Sequence, residues 1–295
     1  MLGHSKHHLG RFEEARTHLQ RYLALENEAS RFASMKQTGN DRWVNAQGVL
    51  SSALWILGLP EQARRRGEQA VTDAAVLGFA ITTGLGMTWA VLNTYLMEID
   101  VDVAEREMVE LLEHGRTHAI DSDAGWALCL MGLCQARRDQ FDAAFAMVAE
   151  GLRLLEAAQM TVFNSLVRAH ICEFAVRAGR LAEARAWMDE LQAKDGADEH
   201  WCSAEVLRVR GLLAEAESAP AEAESLMSEA IQLARRQGAL SWELRSTLSL
   251  SELWRSQGRG EQALLALEAV YLKFTEGDEA ADLVAARRLI GALKA

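Results

Sequence analysis

Histidine pairs are the first candidates for chemistry in this chain. His4 and His8 stand four residues apart with His7 between them, and His114 and His118 repeat the spacing. Two imidazoles one helical turn apart can hold a metal ion when further ligands join them. No carboxylate or cysteine at ligand spacing joins the first group. Glu110 stands one turn before the second pair, but that pair falls in the last turn of an expected helix, where cationic side chains complement the dipole. Neither group is assigned a metal, and no cofactor is expected. The TGLG at 83–86 follows no strand, and no Gly-Lys pair occurs anywhere, which removes phosphate-loop chemistry. GxSxG, HExxH and paired-carboxylate arrangements are absent. No spacing supports a nucleophile and its base, so the chain is read as a non-enzyme.

The elements that would position a binding residue follow from one recurring turn. LGRFEEA stands at 9–15, LGLPEQA at 57–63, RDQFDAA at 138–144, AGRLAEA at 178–184 and QGRGEQA at 257–263, with weaker copies at 98–104 and 217–223. The closing alanines are Ala15, Ala63, Ala104, Ala144, Ala184, Ala223 and Ala263, spaced 48, 41, 40, 40, 39 and 40 residues apart. A fixed period in that range marks a helical solenoid. Each return predicts one helical hairpin. The A helices are expected at 42–57, 80–97, 122–137, 160–177, 199–216 and 240–256. The B helices are expected at 60–77, 101–118, 140–157, 180–194, 220–237 and 259–274. Pro60 and Pro220 open B helices, where a missing N–H is harmless. The extra eight residues of the first interval fall in 27–40, whose polar run Ser34–Asn40 reads as a loop. An amphipathic segment at 279–293 is expected to cover the open end.

Twelve residues before each closing alanine stand Gly3, Ser51, Leu92, Gly132, Cys172, Gly211 and Ser251, nearly all small. Seven residues after it stand Tyr22, Ala70, Leu111, Gly151, Leu191, Ala230 and Val270. This small/Ala/apolar framework resembles the tetratricopeptide (TPR) pattern, with a longer period than its roughly 34 residues. The resemblance implies an all-α, right-handed TPR-like superhelix (an α-α solenoid) of about seven hairpins over 1–295. A truncated first repeat would occupy 1–26, six full hairpins 41–274, and a capping helix 279–293.

A narrower resemblance lies in ARRQGA (234–239), WELR (242–245), SLSELW (249–254), QGR (257–259) and FTEG (274–277), together with ALWILGLPEQA at 53–63. These pieces are similar to the C-terminal helical-repeat region of bacterial multidomain signalling proteins. Such proteins join a class III adenylate/guanylate cyclase or a DNA-binding domain to an AAA-like (STAND-type) ATPase and a TPR-like tail. After FTEG that family usually continues with an aromatic and a threonine, whereas Asp278, Glu279 and Ala280 follow here. Gly3 falls at the middle of a first A helix, so Met1 is expected to begin inside a repeat, as in an excised fragment or a truncated relative. The resemblance implies a non-catalytic, regulatory interaction or sensor module. Its partner would be a protein, or a covalently linked ATPase or cyclase domain in full-length relatives.

In TPR-like solenoids the A helices line the concave surface. Positions 18, 15, 11 and 8 before each closing alanine give the expected column. It reads Asn45, Gly48, Ser52 and Trp55, then Gly86, Trp89, Asn93 and Leu96, then Trp126, Cys129, Leu133 and Ala136. Further along it turns charged: Glu205, Arg208, Leu212 and Glu215, then Arg245, Leu248, Glu252 and Arg255. We take Asn45, Trp55, Trp89, Asn93, Trp126, Arg208 and Arg245 as the candidate groove residues. Aromatic walls with a few amides suit a small molecule or peptide. The alternative to a partner groove is therefore a receptor with an aromatic pocket in repeats 2–4. Tryptophans at helical spacing are also what self-packed A helices would show.

Composition bounds the rest. A net charge of −11 argues against a nucleic-acid partner. The four cysteines have no CxxC spacing and read as reduced, buried thiols, with a cytoplasmic location expected. Ala74–Met97 carries no charge and is long enough to span a bilayer. Gly78, Thr82, Thr83, Asn93 and Thr94 interrupt it, and it stays in register with the repeats, so no membrane span is expected. An incomplete first hairpin would leave the apolar side of 12–23 uncovered, where a homodimer is expected.

Overall fold

A computed structural model describes residues 2–25, 28–38, 41–97, 101–160, 163–194 and 200–295. Among them are sixteen α-helices. Seven antiparallel pairs succeed one another: α1 (Leu2–His8) with α2 (Phe12–Leu25), α4 (Arg42–Ile56) with α5 (Pro60–Leu77), and α6 (Ala80–Met97) with α7 (Val101–His118). Next come α8 (Asp121–Arg137) with α9 (Phe141–Ala157), and α10 (Asn164–Arg177) with α11 (Leu181–Lys194). The last are α12 (Ser203–Ala216) with α13 (Pro220–Gln237), and α14 (Leu240–Ser256) with α15 (Gly260–Tyr271). Helix α3 (Glu28–Thr38) is inserted after the first pair, and α16 (Ala281–Lys294) packs on α14 and α15 through Leu283, Ala286 and Leu289.

The alanine period has a direct physical cause. All seven closing alanines are buried. The small residue twelve positions earlier lies against the alanine's own carbonyl. Cys172 Sγ sits 3.2 Å from Ala184 O, Ser251 Oγ donates to Ala263 O at 3.4 Å, and Ser51 Oγ donates to Ala63 O. A Cβ placed on Gly132 would stand 2.9 Å from Ala144 O. At these crossings helices A and B approach so closely that only a small side chain, or one that hydrogen-bonds the carbonyl, fits; the α6–α7 pair holds Leu92 there instead. The turn between them needs a left-handed residue. Gly58 supplies it at φ 84°, while Asp139 and Ser218 adopt the same conformation at φ 60° and 65° in two of the three copies that lack glycine.

One segment differs from expectation. The polar run expected as a loop is helix α3, with Gly39 and Asn40 outside the described residues. Its order comes from long-range contacts. Arg31 donates to Asp41 Oδ2 at 2.6 Å and to the Asp73 carbonyl at 2.7 Å, and Met35 is buried against Thr82. Helices α10 and α12 also begin at Asn164 and Ser203, later than the periodicity suggested.

The superhelix closes on itself. Helix α14 touches α4, and one hydrophobic core runs from Phe12 to Trp242. Ser241 Oγ donates to the Trp55 carbonyl, and Arg245 donates to the Leu96 carbonyl at 2.8 Å. Helix α5 has no side-chain cap of its own, since Leu59 and Pro60 open it. The carboxylate of Glu276 accepts from Gln62 N at 3.0 Å instead, a favourable place for negative charge at a helix N-terminus. His200 N donates to the His8 carbonyl at 2.7 Å, tying the segment before α12 to α1.

Candidate functional site

Closure decides what the inner column can do. Trp55, Trp89 and Trp126 are only 2%, 4% and 3% exposed, so their rings are engaged in packing. Trp55 meets Trp242 edge-on at 4.6 Å. Trp89 and Trp126 both face Phe163, at 5.1 and 6.0 Å, and Phe163 meets Trp201 at 4.6 Å. His7 stacks on Trp201 at 5.7 Å. Such edge-to-face clusters add to the free energy of burial alone. Asn45, half-buried, accepts from Trp89 Nε1 at 3.3 Å and borders a cavity of about 260 Å³ beside His4 and Tyr22. Asn93 is buried, and its amide donates to Ser51 Oγ and Trp89 O. The physical reason for this burial is curvature. A ring that brings α4 against α14 leaves its aromatic A-helix faces opposite one another.

The charged end of the column is different. Arg208 and Arg245 come together in a cavity of about 220 Å³ lined from α6, α8, α10, α12, α14 and α16. Glu205, with no exposed surface, holds the lining residues Arg208 and His170. It accepts from Arg208 Nε and a terminal nitrogen, both at 2.8 Å, and a terminal nitrogen of Arg245 lies 3.6 Å away. His170 bridges the Tyr95 hydroxyl, 2.7 Å from Nδ1, and Glu205, 3.0 Å from Nε2. Arg208 also pairs with Glu173 and reaches Ser249 Oγ at 3.2 Å. Arg245 donates to Asp282 at 2.7 Å and lies over the rings of Trp55 and Trp242.

Burial alone would raise the Glu205 carboxyl, but the Arg208 guanidinium, the His170 hydrogen bond and Arg245 hold it well below the usual carboxylate range. Glu173 is likewise pushed up by burial and drawn further down by Arg208. The buried charges are thus compensated. Arg137 and Arg177 complete the lining nearer solvent. Arg137 lies over the Tyr95 ring at 4.1 Å and donates to the Tyr95 carbonyl. Arg177 lies over Phe174 at 5.3 Å, and no carboxylate pairs with it among the described residues. Among the described residues the Arg177 guanidinium therefore lines the cavity without an acidic partner, beside a charge-compensated carboxylate network.

Tyr95, Arg137, His170, Glu173 and Arg177 were not among the sequence candidates. Part of the signal was present. Glu173 stands 11 residues before Ala184, in the same register as Asn93, and Arg137 and Arg177 each stand 7 residues before their closing alanines. His114, by contrast, pairs with Asp123 at 3.0 Å, and among the described residues no group of three or more His, Cys, Asp or Glu side chains is arranged to hold a metal ion. No described helix is long and apolar enough to cross a membrane.

The fold defined by these hairpins is a TPR-like helical solenoid. The crystal structure of the apo form of RapI superposes with a TM-score of 0.57 at 13% identity, over 95% of this chain and 90% of that one. A STAND signal-transduction ATPase with a tetratricopeptide repeat sensor, from Pyrococcus horikoshii, gives a TM-score of 0.45 at 13% identity, over 96% of this chain and 42% of that one. No protein-family model and no curated protein matches the sequence.

Proposed function

We propose that the protein is a non-catalytic regulatory module, a protein-interaction or sensor unit that binds an anionic group of a partner or effector at the arginine-lined cavity. The observation that carries this is the pairing pattern. Arg208 and Arg245 are held by Glu173, Glu205 and Asp282, while Arg177 has no carboxylate partner among the described residues. A guanidinium already positioned beside a pocket loses little freedom when it binds a carboxylate or phosphate, and such charge-assisted contacts are the strong ones. The partner fits an acidic segment of another protein, including a linked ATPase or cyclase domain in longer relatives. A small anionic effector fits the same cavity. A homodimer through the α1–α2 end, beside Asn45, would leave this cavity free.

Fluorescence anisotropy with a labelled acidic peptide, and competition by a small dicarboxylate, tests the assignment. The Arg137→Ala, Arg177→Ala double variant leaves the buried Glu205 network intact and is expected to weaken binding by about tenfold or more, as for hydrogen bonds to charged groups. Equal binding by the variant, or no binding of either probe to the wild type, would refute it. Competition by the dicarboxylate separates a small effector from a peptide partner.

A further inference from the structure

A second cavity, of about 230 Å³, lies on the other side of α6, between α5 and α7. Its chemistry is opposite to that of the arginine pocket. Asn93, 1% exposed, lines it from α6. Its amide orientation is fixed, because Nδ2 donates to the Trp89 carbonyl at 2.8 Å, a partner that only a donor can meet. The same nitrogen donates to Ser51 Oγ at 2.7 Å, and Ser51 uses its own proton on the Ala63 carbonyl. Oδ1 is left as a buried acceptor to which no described group donates. Glu107, on α7, lines the same cavity, and its Oε2 is also a buried acceptor to which no described group donates. Two such atoms, on side chains that line one cavity, are costly, about 1–3 kcal/mol each, unless a ligand supplies donors.

The surroundings narrow the ligand. Ala90, Met97 and Val103 form apolar walls, and Gly67 keeps the α5 side open. The cavity is smaller than the roughly 300–1,000 Å³ of drug-sized ligand sites, so it takes a small group. Arg64, at the rim, is already paired with Glu68. Burial pushes the Glu107 carboxyl up, the Thr94 hydroxyl opposes this, Glu110 and Glu68 add repulsion, and Arg106 offsets some of it. A cation would relieve that repulsion. Acceptors without donors, one carboxylate and apolar walls together match a primary ammonium on an aliphatic stem.

We propose that this cavity binds a primary alkylammonium group, with its N–H donors on Asn93 Oδ1 and the Glu107 carboxylate and its stem against Ala90, Met97 and Val103. The group would come from a free amine or from a lysine side chain of a partner. Neither source depends on the arginine pocket.

Isothermal titration with n-butylamine, cadaverine and an acetyl-lysine-amide compound tests this, with butyltrimethylammonium as a cation that lacks N–H donors. Wild-type protein is expected to bind at least one primary amine, and to bind the quaternary analogue about tenfold more weakly or not at all. Glu107→Gln, which removes no hydrogen bond at Oε2, is expected to weaken amine binding about tenfold with the fold retained in circular dichroism. Gly67→Leu is a second variant. A Cβ at Gly67 makes only ordinary contacts of 3.4–3.7 Å, so the added side chain enters the cavity and should abolish binding. Selective binding of the lysine compound would indicate a partner side chain, and of cadaverine a free amine. No binding of any amine, equal binding of the quaternary analogue, or full binding to both variants would overturn the assignment.

Discussion

Replacing Trp201 with alanine is expected to lower the unfolding free energy by about 3–5 kcal/mol and to loosen the ring of helices. Trp201 has no exposed surface. Its ring contacts Phe163, stacks on His7 and lies 6.3 Å from Trp242, while its carbonyl accepts from Trp242 Nε1 at 3.1 Å. It therefore joins α1, the start of α10, the start of α12 and α14, and Trp242 passes the contact on to Trp55 on α4. Phe163 reaches this cluster with a left-handed backbone, φ 69°, which costs a bulky residue about 1 kcal/mol or more and persists only where packing compels it. Removing Trp201 leaves a cavity and releases that constraint together. Denaturant melts measure the stability loss, and small-angle scattering measures the opening between α4 and α14. Trp187→Ala, on half-buried α11, should cost less and leave the scattering profile unchanged. A Trp201→Ala protein with wild-type stability and dimensions would refute the clasp.

The hairpins were legible in the sequence because their cause is local. A close crossing demands a small residue at a fixed offset from an alanine, and residues such as Gly132, Cys172 and Ser251 meet that demand in every copy but one. The curvature of the stack was not legible. It rests on contacts between residues far apart in the chain, such as Gln62 with Glu276 and Trp55 with Ser241. A period of 40 residues carries no record of superhelical pitch, so the tryptophan column could be read as an open groove or as a core. Helix α3 escaped for the same reason, since Arg31 gains its order from the distant carbonyl of Asp73. The FTEG segment, notable in the sequence only as a resemblance, proves to contain the Glu276 that caps α5. Arg208 and Arg245 stand out by register, but Glu173, which pairs with Arg208, and His170, which bonds Glu205, lie on α10, in the repeat between the neutral and the charged columns.

The second large effect is expected at Glu205. Glu205→Gln should lower stability by about 3–5 kcal/mol, as when one member of a buried ion network is removed. The substitution keeps size but leaves Arg208 facing Glu173 alone, and it turns an amide NH₂ toward guanidinium donors. Glu224→Gln is the control, since its partner Arg259 is near the surface and exposed pairs are worth about 1 kcal/mol or less. The two positions should also differ in pH dependence. Glu205 is depressed in the folded state, so its contribution is present above the ordinary carboxyl value of 4.5 and is lost as pH falls through the folded value. His7 acts at higher pH. Burial, with repulsion from His8 and His4, keeps it neutral well below the usual 6.5, so the unfolded chain binds a proton that the folded chain refuses. Stability should therefore begin to fall below 6.5 and fall again below 4.5. Urea midpoints measured across that range should show both steps in the wild type. The Glu205→Gln protein should start lower and show a smaller lower step with the upper one kept, since Glu173 is also depressed, whereas His7→Gln should shrink the upper step and keep the lower, since His4 is held down to about 4 as well. An acid limb unchanged in Glu205→Gln would mean that the network is not what the low-pH protein loses.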